Sequence, residues 1–113
     1  VRRLENGLLG GLWEFPGGKI KSGEDAIKCI VREVNEKLGI RVQPVKFLKQ
    51  IKHTYSHFSI TLDAYHCDYI DGAPSAIGYS DWKWVGLEEI SLFPLPKANH
   101  KLFDVLIGGG IAC

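Results

Sequence analysis

The sequence predicts an α+β fold, a β-sheet packed between helices, from three stretches of contrasting periodicity. Residues 26–38 carry apolar side chains at helical spacing. Residues 45–52 and 58–70 read as strands, and a proline-led segment at 97–107 reads as a closing helix. Strands followed and preceded by helices bury their faces most simply as an α/β/α sandwich, here expected with a mixed sheet. At 113 residues the chain is long enough for one domain with its own core, so residues 1–113 are taken as a single unit.

The elements follow in order. Val1-Arg2-Arg3 reads as the end of a first strand cut through its middle, and the sequence has no methionine; both suggest a fragment of a longer protein. Residues 7–18, GLLGGLWEFPGG, form a glycine-punctuated loop around Leu12, Trp13 and Phe15, with turn chemistry at Pro16-Gly17-Gly18. Ser22 followed by Asp25 resembles a capping box. In the helix behind it, Ala26, Ile27, Ile30, Val31, Val34 and Leu38 recur at helical spacing, and Gly39 supplies the stop. In the second strand Phe58, Ile60, Leu62 and Ala64 alternate with Ser59, Thr61 and Asp63, as a half-buried strand requires. Asp71-Gly72 marks a turn, residues 82–85 (WKWV) a further strand and residues 87–90 a helical turn. Pro96 opens the last helix, 97–107, with Ala98, Leu102, Phe103 and Leu106 as its apolar side.

Composition narrows the function. No apolar run approaches the ~20 residues of a membrane helix and no signal-peptide pattern opens the chain. Three cysteines, at 29, 67 and 113, lack C-x-x-C spacing and read as reduced thiols, which points to a monomeric cytoplasmic protein. A formal charge of +1 gives no global field for nucleic acid, so any contact with DNA must be local.

The most informative stretch runs from Gly18 to Ile40. It resembles the Nudix box, G-x5-E-x7-R-E-U-x-E-E-x-G-U with U aliphatic, through Gly18, Glu24, Arg32, Glu33, Val34, Glu36, Gly39 and Ile40. The remaining specified position, a glutamate in the pattern, is Lys37. Glu33, Glu36 and Lys37 are three and four residues apart and share one helix face, expected opposite an Ile27/Ile30/Val34 core stripe. The resemblance implies a carboxylate site for magnesium, whose hard oxygen ligands suit a pyrophosphate substrate. Lys37 puts a cation there instead, and its i,i+4 spacing predicts a Glu33–Lys37 ion pair. The loop Ser75-Ala76-Ile77-Gly78 offers no further acid. No metal site is therefore expected, magnesium entering only if the domain is a working hydrolase. The plainer reading of Glu33, Glu36 and Lys37 is an ordinary solvated helix face.

A second constellation, Lys52-His53-Thr54-Tyr55-Ser56-His57-Phe58, lies between the two strands. With GLLGGLWEFPGGK and Pro94-Leu95-Pro96-Lys97-Ala98-Asn99 it resembles the C-terminal, Nudix-like domain of the adenine DNA glycosylase family, which carries H-x-F-S-H at this place. The resemblance implies a bacterial DNA-repair domain that recognises 8-oxoguanine opposite adenine in double-stranded DNA. A separate N-terminal domain with an iron–sulfur cluster would then excise the adenine; the four cysteines of such a cluster have no counterpart in this chain. Tyr55, Ser56 and His57 take the recognition positions, with tyrosine in place of phenylalanine. Oxidation turns guanine N7 into a donor and adds the O8 acceptor, an edge that a serine hydroxyl can read in both senses. Tyr55 would stack on or wedge beside a base, and Lys46, Lys49, Lys52 and His53 would position phosphates. Read without the resemblance, Tyr55 is a core aromatic and His57 a surface residue. The competing expectation is a magnesium-dependent pyrophosphohydrolase acting on oxidised nucleoside triphosphates. In that case Asn99 takes the place at which such enzymes contact the purine base.

Overall fold

The computed structural model describes residues 1–7, 9–106 and 111–112. Its elements are α1 (Ala26–Leu38), β1 (Arg41–Thr54), β2 (Ser59–Asp71), a 3-10 turn (Ile90–Leu92), α2 (Lys97–His100) and β3 (Ile111–Ala112). The sheet runs β1-β2-β3, with β1 and β2 a long antiparallel hairpin. Arg2 adds isolated antiparallel bridges to Trp13 and Asp81, so every pairing among the described residues is antiparallel where a mixed sheet was expected.

Helix α1 forms because both of its ends are satisfied locally. Asp25 is the N-cap, its carboxylate accepting the Lys28 N–H at 2.8 Å. Ser22 lies in the preceding turn, so the capping box expected from Ser22 is not what opens the helix. Gly39 closes α1 in the left-handed region, φ 74°, where a side chain would be strained.

The buried side of α1 comprises Cys29, Ile30, Glu33, Val34 and Leu38. Ile27 and Val31, expected among the helix's apolar residues, are exposed. The Gly17-Gly18 segment is the reason, because it lies against the Cys29/Glu33 side: the Cys29 thiol contacts the Gly18 carbonyl at 3.7 Å and Glu33 packs on Gly18. That segment covers Glu33, which is only 8% exposed, so this residue of the box face is packed while Glu36 beside it stays exposed.

β1 is longer than the sequence suggests, whereas β2 has the expected length shifted by one residue, and β1 departs from regular pairing at Arg41/Val42, Pro44/Lys46 and Phe47/Lys49. Pro44 cannot donate to a ladder, which suits an outer strand of the described sheet. The inward side of β2 changes from Ala64 to Cys67 across this irregular region. One core cluster joins Ile30, Val34, Leu38, Ile40, Val42, Cys67 and Tyr79; another joins Ile51, Ala64 and Leu102.

Two expected elements are shorter or absent. Residues 82–85 form no strand; Trp84 is exposed, edge-on to Tyr69 at 5.8 Å. The closing helix stops at His100, after which 101–105 are turns with i to i+3 hydrogen bonds such as Leu102 N–H to Asn99 O, 3.1 Å. Residue 107, the last of that expected helix, lies outside the described residues. No helix among the described residues is long and apolar enough to cross a membrane.

Candidate functional site

The box residues meet as one ionic network on α1. The Arg32 guanidinium forks onto Glu24, Nε to Oε2 at 2.7 Å and Nη2 to Oε1 at 2.9 Å, and its Nη1 donates to Glu33 Oε1 at 2.8 Å and Glu36 Oε2 at 3.2 Å. Lys37 Nζ stands 2.9 Å from the other Glu33 oxygen, Oε2. It approaches at ion-pair distance but off the hydrogen-bond direction, so Oε2 is charge-compensated without receiving a directed bond. Side-chain bonding to Arg32 holds the Glu24 carboxyl down at about 2, and bonding first to Glu24 and then to Glu33 raises Arg32. Burial pushes the Glu33 carboxyl upward, but the Lys37 ammonium and the Arg32 guanidinium beside it together outweigh this and leave it lowered.

Loops brace this network from both sides. A Cβ at Gly18 would overlap the Glu33 carboxyl group, and one at Gly78 would fall 2.7 Å from Lys37 Cγ. The Lys37 ammonium also lies 5.6 Å from the centroid of the Tyr79 ring. The Tyr79 hydroxyl donates to Gly17 O at 3.2 Å and accepts from Gly17 N–H at 3.3 Å, tying the 78–80 segment to the glycine loop.

The hairpin tip forms a separate site. Tyr55 is half-buried, stacked on Phe58 at 4.8 Å and edge-on to His53 at 4.5 Å. Its hydroxyl accepts the Ala98 N–H at 3.3 Å. Ala98 is the second residue of α2, whose N-cap, Pro96, makes no side-chain cap bond. Tyr55 therefore supplies from a distant loop the acceptor that a helix start lacks. This geometry opposes the expectation of Tyr55 as a free stacking wedge. Ser56 and His57 are exposed beside it. Of the lysines expected to position phosphates, Lys46 and Lys52 are exposed, whereas Lys49 donates to Lys101 O at 2.9 Å and pairs with Asp104 at 3.3 Å. Asn99 is buried, its Oδ1 accepting the Phe15 N–H at 3.2 Å.

Comparison with known families decides what this arrangement is. A model described as "NUDIX domain" matches residues 1–105. The chain belongs to the Nudix family. A relative named 8-oxo-dGTP diphosphatase, from Buchnera aphidicola subsp. Acyrthosiphon pisum, is 32% identical over 95 residues, spanning 84% of this chain and 77% of its own length. A rat protein named adenine DNA glycosylase is 28% identical over 107 residues, spanning 93% of this chain but 21% of the relative. Among solved structures, a MutT protein from Methanosarcina mazei Go1 superposes with a TM-score of 0.81 at 26% identity, covering 91% of this chain and 77% of that one. The Nudix-like α+β fold expected from the sequence is thus the observed one.

Within the Nudix fold the box face would be the place for magnesium, and the residues present do not fit it. Magnesium demands several well-placed oxygen ligands. Here Glu24 is held by the Arg32 fork, Glu33 is compensated on both oxygens, the exposed Glu36 also accepts from Arg32, and position 37 offers an ammonium. Among the described residues no three His, Cys, Asp or Glu side chains are grouped to hold a metal ion. The sequence revealed the Lys37 substitution but not Tyr79, Gly78 or the capping role of Tyr55. Those contacts join segments too far apart in sequence for periodicity to reveal.

Proposed function

We propose that this Nudix domain recognises a guanine oxidised at C8, presented opposite adenine in double-stranded DNA, and that it is not a pyrophosphohydrolase. The observation that carries the second half is the Lys37 ammonium 2.9 Å from Glu33 Oε2, with Arg32 on the other oxygen. A carboxylate enclosed by two protein cations is a poor ligand for a third. The first half is supported by the exposed Ser56 and His57 at the hairpin tip and by the likeness to proteins named adenine DNA glycosylase over nearly the whole chain. Ser56 has the donor and acceptor that the oxidised purine edge calls for.

A second reading has the weight of the relatives behind it. Proteins named 8-oxo-dGTP diphosphatase and CTP pyrophosphohydrolase are matched over 48–82% of their own lengths, against about a fifth for the glycosylases. On that reading the domain hydrolyses an oxidised nucleoside triphosphate with magnesium, and Asn99 contacts the base through its amide nitrogen. One pair of measurements separates the two: pyrophosphate release from a panel of nucleotides including 8-oxo-dGTP with magnesium, and binding to duplexes carrying 8-oxoguanine:adenine or guanine:adenine. Turnover well above background without duplex discrimination would establish the hydrolase reading. Discrimination without turnover, lost on Ser56→Ala, is the outcome expected here.

A further inference from the structure

The lysines around the hairpin tip are not equivalent, and the structure sorts them. Lys49 is committed to Asp104 and to the Lys101 carbonyl. Lys101 reaches across from the turn after α2, its Nζ donating to Lys52 O at 3.3 Å, which places its charge on the end of β1. Burial first, then the charges of Lys101 and Lys97, hold the His53 imidazole below its usual range, so these cations crowd one place. Lys52, Lys97 and Lys101 are exposed, and none of them is paired with a carboxylate among the described residues. His57 and His100 are exposed at the tip and on α2, and Tyr55 and Phe58 lie between the two elements. Lys46, by contrast, lies on β1 well before its end, opposite His66 on β2.

We propose that Lys97 and Lys101 form a phosphate track for a nucleic-acid backbone, carried by α2 and the turn after it where they pack beside the end of β1. This deepens the DNA-recognition reading and rests on it. The packing carries the argument: the Tyr55 hydroxyl bonds Ala98 and the Lys101 ammonium bonds the Lys52 carbonyl, so the tip and α2 are tied at two points, and Lys97 and Lys101 both act on His53 at the end of β1. The acid beside them, Asp104, is paired with Lys49, so the charges of Lys97 and Lys101 raise the local potential although the whole chain carries only +1. A polyanion with regularly spaced charges satisfies such a row, and exposed Ser56 beside it supplies the base-reading group.

The test is salt-dependent binding of the 113-residue chain to a duplex with and without an 8-oxoguanine:adenine pair. Each phosphate contact contributes about 0.9 to the slope of log K against log salt, so losing one costs on the order of eightfold in affinity at 0.1 M salt. Lys97→Gln and Lys101→Gln should each lower the slope by about one and weaken both duplexes equally, leaving their ratio unchanged, whereas Lys46→Gln should change neither. Lys97→Arg and Lys101→Arg should restore the slope, which separates charge from a folding defect. An unchanged slope in both glutamine variants would overturn the track, and so would a loss confined to the lesion duplex. A wild-type chain that binds both duplexes alike with a lysine-dependent slope would retain the track and refute lesion recognition. Saturable binding to an acidic protein but not to DNA would assign the patch to a different partner and overturn the proposal.

Discussion

Replacing Tyr55 by phenylalanine separates anchoring from recognition. The ring stays, so its stack on Phe58 and edge contact with His53 persist, and only the hydroxyl that accepts the Ala98 N–H is lost. Ala98 is fully buried and belongs to the first turn of a helix with no side-chain cap of its own. The orphaned N–H would have no replacement partner from water, and a buried donor left unsatisfied costs roughly 1–3 kcal/mol. A 3.3 Å bond is long, so the lower half of that range, about 1–2 kcal/mol, is the expectation. For a domain of this size that lowers Tm by roughly 4–8 °C. Thermal unfolding followed by circular dichroism measures it, with duplex discrimination measured on the same samples below the transition. Ser56→Ala should behave in the opposite way: Ser56 is exposed, so stability should move by no more than about 0.5 kcal/mol while discrimination falls. If Tyr55→Phe melts like the wild type yet loses its preference for 8-oxoguanine, the hydroxyl reads the base and the anchoring argument is wrong.

The box network makes three further predictions. Gly18→Ala should destabilise by a few kcal/mol, since the new methyl displaces the Glu33 carboxyl from its two cations, and breaking a largely buried ion pair costs about 3–5 kcal/mol; urea unfolding would show it, and an unchanged midpoint would contradict the tight packing. Glu24 is held at about 2 against an ordinary 4.5, so its contribution is fully present above pH 4.5 and is lost as pH falls toward 2. The stability difference between wild type and Glu24→Gln should therefore be full above pH 4.5, narrow below it and close as pH approaches 2 in urea titrations. Lys37→Glu should lower Tm without divalent ions and regain part of the loss with millimolar magnesium, as read by differential scanning calorimetry; a Tm indifferent to magnesium would mean that the remaining carboxylates cannot gather a metal even when the lysine is gone.

What the sequence revealed and what it hid divide along sequence separation. Helix α1 was legible because its determinants, apolar spacing and Gly39, lie within or beside it. The β1–β2 hairpin was legible from alternation, although β1's irregular pairing shifted which residues of β2 face inward. The missing strand at 82–85 and the shortened α2 failed for the opposite reason: aromatic and apolar patterns there are used for packing, as where Leu102 joins the Ile51/Ala64 cluster. In the site, Glu33–Lys37 pairing followed from i,i+4 spacing, but the burial of Glu33 did not, because it depends on Gly18, fifteen positions away. Tyr55 could be read from the motif only as an aromatic; its acceptor role toward Ala98 spans 43 residues.

Lys37 is closely packed by the loops around it. Its Cγ is approached so closely at Gly78 that no side chain fits there, its ammonium faces the Tyr79 ring, and Tyr79 in turn fastens Gly17 beside Gly18. The network counts three carboxylates, Glu24, Glu33 and Glu36, against Arg32 and Lys37. Replacing Lys37 by glutamate would leave four carboxylates facing Arg32 alone, and like charges ~4 Å apart repel by on the order of 4 kcal/mol at the effective dielectric of a protein surface. The Lys37 ammonium compensates Glu33 and faces the Tyr79 ring, so reversal should expose a stability defect whatever chemistry it allows. That is why the effect of magnesium on Tm, rather than turnover, is the sensitive reporter of what this helix face has become.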